Sequence, residues 1–267
     1  MSVQAIGRVW LVGAGNMGGA MLDRWIAGGV VPPDAVTAID PGDSVVPQGV
    51  RLVDAPPGDE RPDVLLLAIK PQLLDTVAPA LASVRPRLLL SILAGVEEAA
   101  LAARFSAGAI VRAMPNLPVS LGKGVVALHS SDASMEARAA AEALMAPLGL
   151  VEWLDDESLF HAITALSGSG PGFVYRFVEA LADAGAALGI PADQAQRFAI
   201  ATVEGAAALA AVSEHSPATL ANRVASPGGT TRAGLDVLDD GDAMKALVAA
   251  TLTAATKRSE ELASAAR

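Results

Sequence analysis

Three glycine-rich stretches hold the residues best placed for chemistry. In VWLVGAGNMGGAM (9–21), Gly13, Gly15 and Gly18 follow the order G-x-G-x-x-G between an apolar run and a helical pattern. The first glycine permits a tight turn, the second lets the backbone approach a pyrophosphate, and the third lets the helix pack on the strand. A phosphate would meet the N-terminus of the helix that Asn16 and Met17 begin. The loop therefore predicts dinucleotide binding, with a bare glycine turn as the alternative. In SGSGPGF (167–173), Ser169 and Gly170 precede a long helical pattern with Pro171 in its first turn. That stretch reads equally as a helix start or as a small-residue loop on which a flat ring could rest. In VASPGGTTRAGL (224–235), a Pro-Gly-Gly turn runs into Thr230 and Thr231, with no obvious acid or base.

Further candidates lie at the ends of apolar runs. Asp40 closes the second run, 22 residues beyond Gly18, where an acid can accept hydrogen bonds from adenosine ribose hydroxyls. Asp40 would then favour NADH over NADPH; the alternative is that it only starts a turn with Pro41 and Gly42. Ala68, Lys70 and Pro71 leave the third run at the edge where such sheets bind ligands, although Lys70 could simply reach solvent. Asn116, after the fifth run, orients a ligand or caps a turn.

These residues need a scaffold. Apolar runs at 8–13, 36–40, 63–70, 87–95 and 109–116 alternate with amphipathic stretches, which predicts a parallel sheet covered on both faces. Runs at 124–130 and 150–154 extend that sheet. From about Ser158 the pattern turns to long Ala-rich helices at 171–189, 191–214 and 242–266. The fold class is α/β then all-α: a Rossmann-type domain over 1–157 and a helical domain over 158–267.

Composition removes several alternatives. A formal net charge of −10 without a basic run argues against nucleic acid as a partner. The chain has no cysteine, and its three histidines, His129, His161 and His215, lack ligand spacing, so no metal is expected. No apolar run approaches membrane-spanning length and no leader pattern opens the chain, so a soluble cytoplasmic protein with no membrane partner is expected.

The order GAGNMG, AIKP, RAMPN, LSGSGP and SPGGTT resembles the pyrroline-5-carboxylate reductases, and ATLANRVASPGGTTRAGLDVL (218–238) carries the most specific part of that resemblance. The resemblance implies reduction of a cyclic imine carboxylate to proline by NADPH or NADH. It also implies a homodimer that can assemble to a decamer, with an active site shared between subunits. The implied cofactor contacts are Gly13, Gly15, Asn16, Met17, Gly18, Asp40, Ala68, Lys70, Pro71, Ala94 and Asn116. The implied substrate contacts are Ser169, Gly170, Ser226, Gly228, Gly229, Thr230 and Thr231. In this scheme the amides of Gly229, Thr230 and Thr231 hold the carboxylate, and the Thr231 hydroxyl, the catalytic group, orients the ring nitrogen. His161 reads better as a solvated or hydrogen-bonded histidine than as a catalytic group.

Two features depart from the family pattern: Asp40 after the second strand, and DAPPGDERPD (54–63) in place of a loop asparagine. Both weigh against the usual NADPH preference. The nearest rivals are a β-hydroxyacid dehydrogenase, a larger-ring imine reductase and a dinucleotide-binding regulator. The first needs a lysine in its helical domain, and this chain has none between Lys123 and Lys245.

Overall fold

The structure is a computed structural model that describes residues 6–265. Its first half runs β1 (Val9–Val12), α1 (Asn16–Ala27), β2 (Val36–Ile39), β3 (Arg51–Val53), β4 (Val64–Leu67) and α2 (Leu74–Leu81). There follow β5 (Leu88–Ser91), α3 (Glu98–Ala102), β6 (Ala109–Pro115), β7 (Gly124–His129), α4 (Met135–Met145), β8 (Gly149–Trp153) and α5 (Phe160–Ile163). The strands form one sheet in the order β3-β2-β1-β4-β5-β6-β7-β8. Strand order reverses between β1 and β4, the position where open α/β sheets leave a crevice for ligands.

The sequences VWLV, VTAI, VLLL and LLLS are buried at every position, as expected of strands covered on both faces. Alternation along β1 assigns Val9 and Leu11 to one apolar layer, with Met21, Leu22 and Trp25 of α1. Trp10 and Val12 enter the other, with Leu81, Leu101 and Phe105. The sheet is parallel from β3 to β6, and β7 then runs antiparallel to β6. Residues 116–123 between them form only a short 3-10 turn, and a parallel crossover needs a dozen residues or more. The helix α4 restores the longer connection, so β8 is parallel to β7. The three-residue edge strand β3 was not expected from the sequence; Arg51 and Leu52 are exposed and carry no apolar run.

Buried polar contacts tie β6 to the segment before α5. Arg112, 5% exposed, donates to Glu157 Oε1 at 2.7 Å and lies 4.1 Å from the centre of the Phe160 ring. A buried guanidinium is stable only with such a partner, so these contacts fix where the chain leaves the sheet.

After α5 come a π-helical segment (Thr164–Gly168), α6 (Gly170–Ala187), α7 (Ala192–Val212), α8 (Pro217–Arg223), α9 (Thr230–Asp239) and α10 (Ala243–Ala265). By contacts the chain divides into two compact units, residues 6–169 with 255–265 and residues 170–254. The end of α10 thus belongs to the sheet unit, where Ser259 Oγ meets His161 Nδ1 at 3.0 Å. A Cβ on Gly95 would lie 3.4 Å from the Cα of Ala263 in the same helix.

The helical unit, residues 170–254, has almost no core of its own. Among its described residues only Ala182, Ala195 and Ala199 are buried. Phe173, Tyr175, Phe177, Phe198, Leu209 and Leu247 are exposed in the single chain. Each such side chain is worth about 1.5–3 kcal/mol when buried, so the unit requires apolar surface from another chain. Unfolding should therefore depend on protein concentration. We expect each tenfold dilution to lower apparent stability by about 1.4 kcal/mol in urea titrations followed by circular dichroism. One midpoint across a hundredfold concentration range would rule this out.

Candidate active site

The loop from β1 to α1 is built around Gly13 and Gly18, where the fold leaves no room for a Cβ. Gly13 has φ of +94°, and a Cβ there would lie 2.7 Å from the carbonyl oxygen of Ala68. Gly18 is buried against Gly13 and Ala68, which brings α1 close to β1 and β4. Beside Gly15 the space is open: a Cβ would meet nothing within 4 Å. Gly15 is the N-cap of α1, with no side-chain cap, and Asn16 and Met17 follow as its first residues. First-turn amides have no intrahelical partner, so the open side of Gly15 fits a pyrophosphate.

Asp40 holds this loop from behind. Its Oδ2 accepts the Ala14 N–H at 2.7 Å and the Ser44 hydroxyl at 3.0 Å, and its Oδ1 accepts the Gly42 N–H at 2.9 Å. Burial raises the acid's pKa, but the hydrogen bonds from Gly42, Ala14 and Ser44 outweigh it and hold the carboxyl below its ordinary range. Three of about four acceptor positions on the carboxylate are therefore in use. Turn-making and ligand reading, alternatives on sequence grounds, compete for one group. A recess of about 450 Å³ opens alongside, lined by Gly15, Asn16, Asp23, Asp43, Ser44 and Ser120 among others. Among the described residues no lysine or arginine lines it.

The remaining expected cofactor residues sit at the same carboxyl edge of the sheet. Ala68 follows β4 and donates its N–H to the Val12 carbonyl at 2.8 Å. Lys70 is exposed and precedes the 3-10 turn Pro71–Leu73. Ala94 is exposed in the loop after β5, next to Gly95 with φ of +75°. Asn116, 7% exposed, spends its side chain on the protein: Oδ1 accepts the Val125 N–H at 2.8 Å and Nδ2 donates to the Ser167 carbonyl at 2.9 Å. Ser169 closes the sheet unit, its N–H bonded to the Thr164 carbonyl at 2.8 Å.

Gly170 and the Ser226–Thr231 loop belong to the helical unit. Gly228 has φ of +71°, and a Cβ on Gly229 would lie 2.5 Å from Ser226 Oγ. Gly229 is the N-cap of α9, again without a side-chain cap. One expectation needs correction here. The Gly229 N–H closes the turn by donating to the Ser226 carbonyl at 2.9 Å, so it is not a free donor. The Gly229 carbonyl takes Ala233 N–H, which leaves the first-turn amides of Thr230, Thr231 and Arg232 as the open ones. The Arg232 guanidinium is tied to Asp236 at 2.8 Å and Asp239 at 3.2 Å. Among the described residues nothing hydrogen-bonds the Thr231 hydroxyl.

Sequence reasoning missed Asp23, Asp43, Ser44 and Ser120 around the recess, and the partners of Asn116. The run DPGDS (40–44) carried a signal for the first group: an aspartate before Pro-Gly predicts the turn that brings Asp43 and Ser44 round.

Fold and loops together define a Rossmann-type oxidoreductase with a helical association domain. Residues 157–262 match the family described as pyrroline-5-carboxylate reductase dimerisation, and residues 8–95 match one described as NADP oxidoreductase, coenzyme F420-dependent. The chain is 37% identical to a pyrroline-5-carboxylate reductase of Pseudomonas aeruginosa, over 96% of this chain and 97% of that one. A solved pyrroline-5-carboxylate reductase from Coxiella burnetii superposes with a TM-score of 0.88 at 31% identity, covering 96% of this chain and 98% of that one. The Plasmodium falciparum pyrroline carboxylate reductase, solved with NADP bound, gives 0.80 at 25% identity with the same coverage. The chain belongs to the pyrroline-5-carboxylate reductase family. It is an oxidoreductase that reduces the ring imine of 1-pyrroline-5-carboxylate to give proline. No helix among the described residues is long and apolar enough to cross a membrane.

The Asp40 contacts have a direct consequence for stability. Asp40→Asn should lower stability by about 1–3 kcal/mol, because an amide turns a donor toward at least one of three donors. Amide exchange at Ala14 should accelerate with it. The wild-type advantage is complete above the ordinary aspartate value of 3.8 and is lost as pH falls through the lowered folded value. Equal melting temperatures for the two proteins at pH 7 would show that the loop does not need this carboxylate.

Proposed function

We propose that the reaction is run by two helix N-termini, one for the cofactor and one for the substrate. The substrate end carries the reading: α9 begins at a glycine turn with open amides at Thr230, Thr231 and Arg232 and a free hydroxyl on Thr231. Those amides take the ring carboxylate, helped by the positive end of the helix. Gly228 and Gly229 shape the turn that exposes them, and Ser226 braces it. Ser169 and Gly170 offer a small-residue rest for the flat ring.

The Thr231 hydroxyl orients the imine by accepting the N–H of its protonated nitrogen. As an acid the hydroxyl is too weak to deliver that proton, which comes from solvent. When bound, the nicotinamide supplies the hydride that adds to the imine carbon. The chain contributes position and electrostatics and needs no strong base. Gly13, Gly15, Asn16, Met17 and Gly18 cradle the pyrophosphate, with Ala68, Lys70, Pro71 and Ala94 along the same sheet edge. The NADP in the Plasmodium falciparum structure supports a nicotinamide dinucleotide as the cofactor.

NADH is the preferred form in this reading. A 2′-phosphate in the recess would face Asp23 and Asp43 with no lining cation, and Asp40 keeps one acceptor position for a ribose hydroxyl. The exposed apolar helices support a homodimer, and the family resemblance extends it to a larger homo-oligomer such as a decamer.

With pyrroline-5-carboxylate as substrate, kcat/KM should be higher for NADH than for NADPH. Thr231→Val should lower kcat at least about tenfold while the NADH dissociation constant, read by fluorescence, stays within about twofold; Thr231→Ser should keep most of the rate. An unchanged kcat in the valine variant removes Thr231 from the mechanism, and a preference for NADPH refutes the acidic-recess argument.

A further inference from the structure

We propose that Asn116 is a positioning residue for the substrate loop, acting through the Ser167 carbonyl instead of through the cofactor. The proposal rests on the reading of Ser169 and Gly170 as substrate contacts. Its basis is the Ser167 carbonyl, a backbone group that the sequence leaves without its ordinary helical partner. In an α-helix the Ser167 carbonyl would accept the N–H of residue 171, but that residue is Pro171 and has none. The segment Thr164–Gly168 is π-helical instead, and the Ser169 N–H reaches back five residues to the Thr164 carbonyl at 2.8 Å.

Side chains supply donors along this turn. Thr164 Oγ1 donates to the Phe160 carbonyl at 2.7 Å, and Ser167 Oγ to the Ile163 carbonyl at 3.0 Å. Asn116 Nδ2 serves the Ser167 carbonyl at 2.9 Å from 51 positions away in the sequence. Its other end accepts the Val125 N–H at 2.8 Å, so the same amide pins the β7 start to the turn. The orientation of the amide is unambiguous: Val125 N–H can only donate and the Ser167 carbonyl can only accept. Packing reinforces the bond, since a Cβ on Gly168 would lie 3.0 Å from Met114 Cε in β6. The end of β6 therefore holds the π-turn at two adjacent points, and the turn leads directly into Ser169 and Gly170. With both its ends bonded to backbone and 7% exposure, Asn116 has one N–H left for anything else.

Asn116→Asp tests this in the full-length protein. It keeps size and the Val125 acceptor but turns an acceptor toward the Ser167 carbonyl; Asn116→Ala removes both bonds without repulsion and is the second variant. Both should lower kcat/KM for pyrroline-5-carboxylate on the order of tenfold, while the NADH dissociation constant stays within about twofold. Hydrogen exchange in the peptide covering residues 160–170 should accelerate in both. A weakened NADH affinity with unchanged substrate kinetics would overturn the proposal in favour of direct cofactor contact. Unchanged exchange would overturn the clamp itself. Faster exchange with unchanged kinetics would overturn the catalytic consequence by removing Ser169 and Gly170 from the substrate site.

Discussion

A helix that starts at a glycine leaves first-turn N–H groups with no carbonyl in reach, and a buried backbone group must find a partner or face a ligand. In this protein an N–H group at or before each cap is used within its loop. Ala14 N–H goes to Asp40 and Gly229 N–H goes to the Ser226 carbonyl, which shapes each turn. The amides just after the caps stay open on the side where an anion can approach. A charged side chain would give stronger binding, yet Arg232 is drawn away by Asp236 and Asp239. The proposed anion sites are thus made of backbone, with Asp40 and the Ser226 carbonyl bracing the turns beside them.

The two units solve the problem of stability differently. The sheet unit buries two apolar layers, with Trp25 on one side and Trp10 on the other, each fully buried. Its loops can then carry unsatisfied amides without loss of the fold. The helical unit is Ala-rich, with its large apolar side chains outside, and matches a dimerisation family. For α9 and its open first turn, association is then a condition of order and not an addition to it.

Much of this was legible in the sequence. The apolar runs of β1, β2, β4 and β5 stand out because strands buried on both faces are continuously apolar, those of β6 to β8 show more weakly, and the long Ala-rich patterns mark α6, α7 and α10. β3 was not legible, because a three-residue exposed edge strand has no periodicity to show. The glycines of both loops were readable: Gly13, Gly18, Gly228 and Gly229 sit where a tight turn or close approach excludes a Cβ, and Gly15 leaves its side of the helix start open. Asp40 was readable as a residue but not as a latch, since its donors Ala14, Gly42 and Ser44 come from two loops that only the fold joins. The Gly229 N–H looked open and is not, because turn closure with Ser226 takes it first. Asn116 and Ser167 are too far apart in the chain for any local pattern to pair them.

The backbone anion site proposed at the start of α9 implies that the substrate's carboxylate matters as much as its imine. The most direct test compares reduction of 1-pyrroline-5-carboxylate with that of 1-pyrroline, the same ring without the carboxylate, at saturating NADH. A kcat/KM lower on the order of 100-fold for 1-pyrroline is expected, as charge-assisted hydrogen bonds to two or three amides would give. Equal kcat/KM for the two rings would contradict carboxylate binding by the Thr230–Arg232 amides.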